Sequence, residues 1–126
     1  MKLLLSHGRF CLKNRVISQF IDRKTGGTVM LSKFLIWARQ KKDFFKNKNW
    51  IIKIIENEIT ENPSARLDID TSTLISRITF WESGNAFSEI ISIETEEMLY
   101  CQHIETTQDQ SFDEYFSSFF EILESR

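Results

Sequence analysis

The first strong pattern along the chain is helical. Leu31, Phe34, Leu35, Ala38 and Phe45 fall on one stripe at spacings of three, four and seven. Ser32 is placed to cap the start of this helix. Lys41, Lys42, Lys46 and Lys48 crowd its end, where cations offset the helix dipole. Asn47 and Asn49 suit a helix stop. Trp50-Ile51-Ile52-Lys53-Ile54-Ile55 is β-branched and too short for a second full helix, so it predicts a strand. Pro63 breaks the chain after Glu58-Ile59-Thr60-Glu61. From Ser64 the period becomes two: Ala65, Leu67 and Ile69 face one way, and Arg66, Asp68 and Asp70 the other. Asp70-Thr71-Ser72-Thr73 has the chemistry of a turn. Leu74, Ser76, Ile78 and Phe80 then alternate with Ile75, Arg77, Thr79 and Trp81. Glu82-Ser83-Gly84-Asn85 is a second turn, with Gly84 available for positive φ. Phe87 to Ile93 predicts a strand, Glu94-Thr95-Glu96-Glu97 a turn, and Met98 to Ile104 another strand. Ser111-Phe112-Asp113-Glu114 reads as a capping box. It opens a helix whose Phe112, Phe116, Phe119, Phe120 and Leu123 form one apolar stripe.

Short connections make consecutive strands pair antiparallel. The fold expected is a single α+β domain. A meander of four to five antiparallel strands carries an N-terminal and a C-terminal helix on one face. The open face would show Arg66, Asp68 and Asp70 with some of Arg77, Thr79, Trp81 and Glu89. Residues 1–29 fit this less well. Phe10, Leu12, Val16, Ile17 and Phe20 could line a short helix or a strand, and 22–27 reads as a turn. Two readings stay open, an integral basic element or an arm appended to a domain beginning near Met30. The second is the expectation.

Composition changes this picture little. A chain of 126 residues with 41% apolar and 27% charged residues can build one core without a disulfide, metal or cofactor. No apolar run is long enough to span a membrane. Leu3 to Leu5 is too short for a signal peptide and Arg9, Lys13 and Arg15 follow it, so a cytoplasmic protein is expected. Cys11 and Cys101 fit no metal or redox spacing, and free thiols are expected. Charge is more telling. Residues 1–53 hold 13 basic residues against Asp22 and Asp43, whereas residues 54–126 hold 16 acids against Arg66, Arg77 and Arg126. Three arginines cannot neutralise that segment, which points to an acidic surface and a basic partner.

Catalytic chemistry is thin. Cys101 and His103 sit side by side on one strand with no orienting third group. Asp68 and Asp70 share a strand face, but a metal site wants more converging oxygens. Lys41 to Trp50 interleaves bases with aromatics, as some nucleic-acid surfaces do. Helix-end lysines and buried aromatics explain that stretch well, and the acidic remainder of the chain would repel phosphate. A nucleic-acid-binding accessory protein using the basic N-terminal third is therefore the alternative function.

Particular residues carry a resemblance. Asn62-Pro63-Ser64-Ala65-Arg66-Leu67-Asp68-Ile69-Asp70, Ile78-Thr79-Phe80-Trp81-Glu82-Ser83-Gly84, the strand ending near Ile93-Glu94-Thr95-Glu96, His103 and the Phe-rich terminal helix together resemble the TriTu-type immunity proteins. These accompany contact-dependent growth inhibition and related polymorphic toxins. The likeness covers about residues 31–126, including Phe34-Leu35-Ile36-Trp37, and does not reach 1–29. It implies a protein without catalysis that binds the toxin domain made beside it and blocks its active site or substrate path. In related systems the toxin is a tRNA-cleaving nuclease, and elongation factor Tu can join the complex. With the charge split, the surface expected to meet such a toxin comprises Asp68, Asp70, Glu82 and Glu89 with Arg66 and Trp81.

Overall fold

The structure, a computed structural model, describes residues 27–57, 61–106 and 110–126. The elements run α1 (Gly27–Phe44), β1 (Ile51–Asn57), β2 (Ser64–Asp70), β3 (Leu74–Trp81), β4 (Asn85–Ser92), β5 (Met98–Glu105), α2 (Phe112–Tyr115) and α3 (Ser117–Ser125). The strands form one sheet in the order β1-β2-β3-β4-β5, with every neighbouring pair antiparallel. This is the expected α+β meander with five strands.

The alternation seen in the sequence is the alternation of the sheet. Ala65, Leu67, Ile69, Ile78, Phe80, Ala86 and Ile90 join the residues of α1, α2 and α3 in one core. The first and last helical segments therefore lie on one face. Among the described residues no helix packs on the other face, where Ile75 and Ile91 form a small apolar cluster of their own with Met98.

The turns are built as their residues suggest. The hydroxyl of Thr71 accepts the N–H groups of Thr73 and Leu74, closing β2 onto β3. Gly84 takes φ +97 between β3 and β4. Its carbonyl accepts from both the N–H and the hydroxyl of Thr106, at 2.9 and 2.7 Å. That turn is thus tied to the segment leaving β5. A β-carbon at Gly84 would meet the Thr106 hydroxyl at 3.4 Å in a backbone conformation that side chains resist.

Both helices depart from expectation at their starts or middles. Ser32 does not cap α1; it lies inside a helix that begins at Gly27. Packing of Met30 and Leu31 against the core outweighs the glycine penalty of about 1 kcal/mol. Of the expected basic segment, residues 1–26 lie outside the described residues. The capping box at Ser111 forms in full, with the Ser111 side chain on the Glu114 N–H and the Glu114 carboxylate on the Ser111 N–H. The terminal stripe is broken, however. Phe116, at φ −109 and ψ 22, separates the single turn of α2 from α3. The break lets Phe112 reach Phe34 and Phe80 while Phe119, Phe120 and Leu123 are buried.

Deleting a fully buried ring leaves a cavity that this tight aromatic layer cannot close. Phe119→Ala or Phe34→Ala should cost about 3–5 kcal/mol. Chemical denaturation reads this directly, and a loss under about 1 kcal/mol at both sites would contradict the packing described.

Candidate functional site

The face without a described helix is organised in rows, because residues paired across neighbouring strands point the same way. One row crosses the whole sheet as Lys53, Asp68, Arg77, Glu89 and Cys101. A second carries Ile55, Arg66, Thr79, Phe87 and His103. A third begins at Ile51, Asp70, Ile75 and Ile91. Trp81 lies at the far end of this face, opposite Ser64, and Glu82 in the turn beyond it. So Arg66, Asp68, Asp70 and Glu89 share the face as expected, with Trp81 at its end and Glu82 outside it.

Their chemistry is not that of a free acidic patch. Arg77 Nε donates to Asp68 Oδ1 at 3.0 Å, and Arg66 donates to Asp68 Oδ2 at 3.3 Å. Asp68 is thus shared between two guanidinium groups. Asp70 and Glu82 have partners as well. Glu89 is a correction: expected as an outward charge, it is only 4% exposed. It sits on an inner strand, between Arg77 and Cys101 of the neighbouring strands. Among the described residues its Oε1 has no hydrogen-bond partner. Burial pushes its pKa up to about 7, against the opposing pull of Arg77.

Sequence reasoning left Arg77 out of the site, although it joins Asp68 to Glu89. The signal was available. A hairpin centred on Thr71–Thr73 sets Arg77 against Asp68, and one centred on Ser83 sets it against Glu89.

Candidate catalytic groups are not assembled. His103 Nε2 lies 3.1 Å from the Asn85 side-chain oxygen. Cys101 is disulfide-bonded, which corrects the expected free thiol; distance along a chain says nothing of distance in space. Cys11, the chain's only other cysteine, lies outside the described residues. Among the described residues no His, Cys, Asp and Glu converge as a metal site would require.

The basic, aromatic stretch of α1 is taken up by packing. Lys41 lies 2.8 Å from Asp113 and within 5.4–6.0 Å of the rings of Trp37, Phe44, Phe45 and Phe120. The indole of Trp37 donates to the same Asp113 oxygen at 3.0 Å. Lys41 first, then Trp37, hold the Asp113 carboxyl below its ordinary pKa. Phe45 is buried and Lys48 covers Trp50. Outward charge of the opposite sign lies elsewhere: Glu94, Glu96 and Glu97, in the turn between β4 and β5, are all exposed.

Glu89 gives the protein a pH signature. Its folded pKa is raised, so the native state holds a proton that the unfolded chain has already released. Stability therefore falls as pH rises from about 4.5 to about 7, by on the order of 3 kcal/mol at most, and the penalty persists above that window. Glu89→Gln should flatten this part of the stability profile and raise Tm at pH 8. Thermal unfolding between pH 5 and 8 measures it. A profile unchanged by the substitution would mean the carboxyl is solvated.

No curated protein matches the chain. The family model described as immunity protein TriTu matches residues 32–122, from the first turns of α1 almost to the end of α3. The match spans all five strands and most of the 126 residues, and so the chain belongs to the TriTu family of immunity proteins.

Proposed function

We propose that this protein neutralises a toxin domain made beside it by forming a stoichiometric complex. The toxin is a nuclease whose cationic RNA-binding surface, tRNA-directed in this reading, is blocked in that complex. The observation that carries the proposal is the family match over residues 32–122. A family of immunity proteins calls for a toxin partner and not for turnover. Elongation factor Tu, where it joins, is held through the toxin. The complex forms in the cytoplasm, where tRNA is found. The disulfide at Cys101 is the one observation against that compartment, since a reducing cytosol keeps thiols reduced.

The charge distribution supports a cationic partner and shifts where it is steered. Asp68 is neutralised by Arg66 and Arg77, and Glu89 is buried. The exposed carboxylates of Glu94, Glu96 and Glu97 stand free of the sheet, and these attract a basic surface before contact. Steering of this kind acts on association rates and fades with salt.

The direct test is biological. Expression of the adjacent toxin domain should arrest growth, and co-expression of this chain should restore it and bring the two proteins down together. Growth arrest that this chain does not relieve would remove the proposal. For the steering surface, Glu94→Lys/Glu97→Lys should slow association with the toxin about three- to tenfold at low salt, converging with the parent at high salt. Its Tm should hold, because exposed charges contribute little to stability. Asp68→Lys, by contrast, should lower Tm by leaving two guanidinium groups facing a third cation. Stopped-flow binding with parallel melting curves separates the two. Equal association rates for the turn variant and the parent at low salt would place the steering charge elsewhere.

A further inference from the structure

The outer edge of β1 is open, and the register of the sheet shows which of its groups face outward. Thr71 N–H donates to the Leu74 carbonyl at 2.9 Å, and Glu82 N–H to the Pro63 carbonyl at 2.8 Å. Both bonds continue the β2–β3 register, in which bonded and non-bonded pairs alternate. The main-chain groups of Ala65, Leu67 and Ile69 therefore turn to β3, and those of Ser64, Arg66, Asp68 and Asp70 turn to β1. There they meet Asn57, Ile55, Lys53 and Ile51. The N–H and C=O of Ile52, Ile54 and Glu56 consequently point away from the sheet, and among the described residues no strand pairs with them. An edge of this kind is a template for another strand. Four of the seven residues of β1 are isoleucine, with no proline and no register shift. Ile51 and Ile55 are 60% and 36% exposed. The opposite edge differs, because β5 meets β4 across a register shift at Ile90/Ile91, an irregularity of the kind that blunts edges.

We propose that this edge takes a second copy of the same chain, β1 against β1 and antiparallel, about a two-fold axis at Ile54 that joins two five-stranded sheets edge to edge. Self-complementarity selects this occupant. With the axis at Ile54, the outward groups of Ile52, Ile54 and Glu56 meet those of the partner's Glu56, Ile54 and Ile52, and every outward N–H and C=O of the strand is paired. The same register suits the side chains. Lys53 faces the partner's Ile55 and Glu56 faces the partner's Ile52, so no like charges stand directly opposite. Ile55 lies diagonal to the partner's Ile51, which brings the two exposed isoleucines of each copy together. An axis at Lys53 would set two lysines face to face. An axis at Ile55 would carry Ile52 past the end of the partner's strand. The strand holds one cation and one anion, Lys53 and Glu56, and Arg39 already lies 3.5 Å from Glu56. Charge therefore neither drives two copies apart nor draws a basic toxin to this edge.

Open twisted sheets of about ten strands occur, so the joined sheet is of ordinary size. A seam of one strand from each copy is small, and interfaces of that class are weak and reversible. The pairing does not depend on the toxin reading and is compatible with it. The Glu94–Glu97 turn leads into β5 at the far edge of the sheet. It stays open in the dimer, and each chain still takes one toxin.

Sedimentation velocity and amide hydrogen exchange on the full chain, from about 1 μM to about 1 mM, test the pairing. The mass should rise from one chain towards two with concentration. Over the same range the amides of Ile52, Ile54 and Glu56 should slow together, while those of Lys53 and Ile55, bonded to β2 throughout, change less. Two variants probe the register. Ile55→Lys sets a cation opposite Lys53 at both symmetric positions. Glu56→Pro removes an outward N–H at a position where an edge strand tolerates proline. Each should weaken association about tenfold or more and leave a cooperative melting transition at low concentration. A mass of one chain across the whole range would overturn the proposal. So would a dimer whose three amides exchange as in the monomer, or one that both variants leave intact. Protection of those amides only on adding the toxin would also overturn it, because the edge would then take a strand of the toxin.

Discussion

The ring of Phe34 is the contact on which the rest of the architecture depends. It is fully buried, stacks on Phe80 of β3 with centroids 4.8 Å apart and planes 5° from parallel, and meets Phe112 edge-on. One side chain thereby joins the first helix, the centre of the sheet and the start of the last helical segment. Around it Trp37 packs on Phe112, Phe116 and Phe120, and Phe45 stacks on Phe120. Aromatic pairs of this geometry contribute about 0.5–1.5 kcal/mol beyond the area they bury. A chain this short with eleven Phe and three Trp has concentrated that supply in one layer. The fold is closed by aromatic stacking between α1 and α2–α3, both seated on the same side of the meander.

That layer decides what the remaining surfaces can be. With both helical ends committed to one face, most of the sheet's charged side chains lie on the other; Glu56, on the helix face, pairs with Arg39 of α1. They are not left as isolated charges. Asp68 is held between Arg66 and Arg77, and Glu89 is withdrawn from water, its pKa pushed up to about 7 by burial. The same economy holds at α1, where Lys41 is surrounded by rings and paired with Asp113. The exposed carboxylates lie mostly in turns and on helix surfaces, Glu94, Glu96, Glu97, Glu121 and Glu124 among them, with Glu56 and Glu105 on strands. Such outward charge is available to the basic partner proposed for this immunity protein, while the paired charges of the sheet serve structure.

Much of this was legible because side-chain period and burial obey the same geometry. Ala65, Leu67 and Ile69 alternate in the chain and alternate in the sheet. Ser111 and Glu114 form the capping box their spacing announces. Gly84 takes the positive φ that its turn requires. What was not legible depends on contacts between distant segments. Ser32 has a capping residue's chemistry, but the start of α1 is set by Met30 and Leu31 reaching the core. The break at Phe116 is set by where two groups of rings find room, which helical periodicity does not encode. Glu89 looked like a solvated strand residue because period gives the face and not the depth. Counting register through two hairpins, from Asp68 to Arg77 to Glu89, would have shown it on an inner strand beside a cation. The family was readable from the Asn62–Asp70 and Ile78–Gly84 stretches, whereas the contact surface was not, because exposed charge alone does not say which carboxylates are already paired.

The central claim is that this chain acts by occupying a toxin and not by transforming it. Titrating the purified toxin domain with this chain while recording residual RNA cleavage and the mass of the intact complex tests that claim most directly. The account predicts cleavage falling linearly to zero at one equivalent, in step with a one-to-one complex. Cleavage abolished by a small fraction of an equivalent, with no complex formed, would show turnover and contradict it.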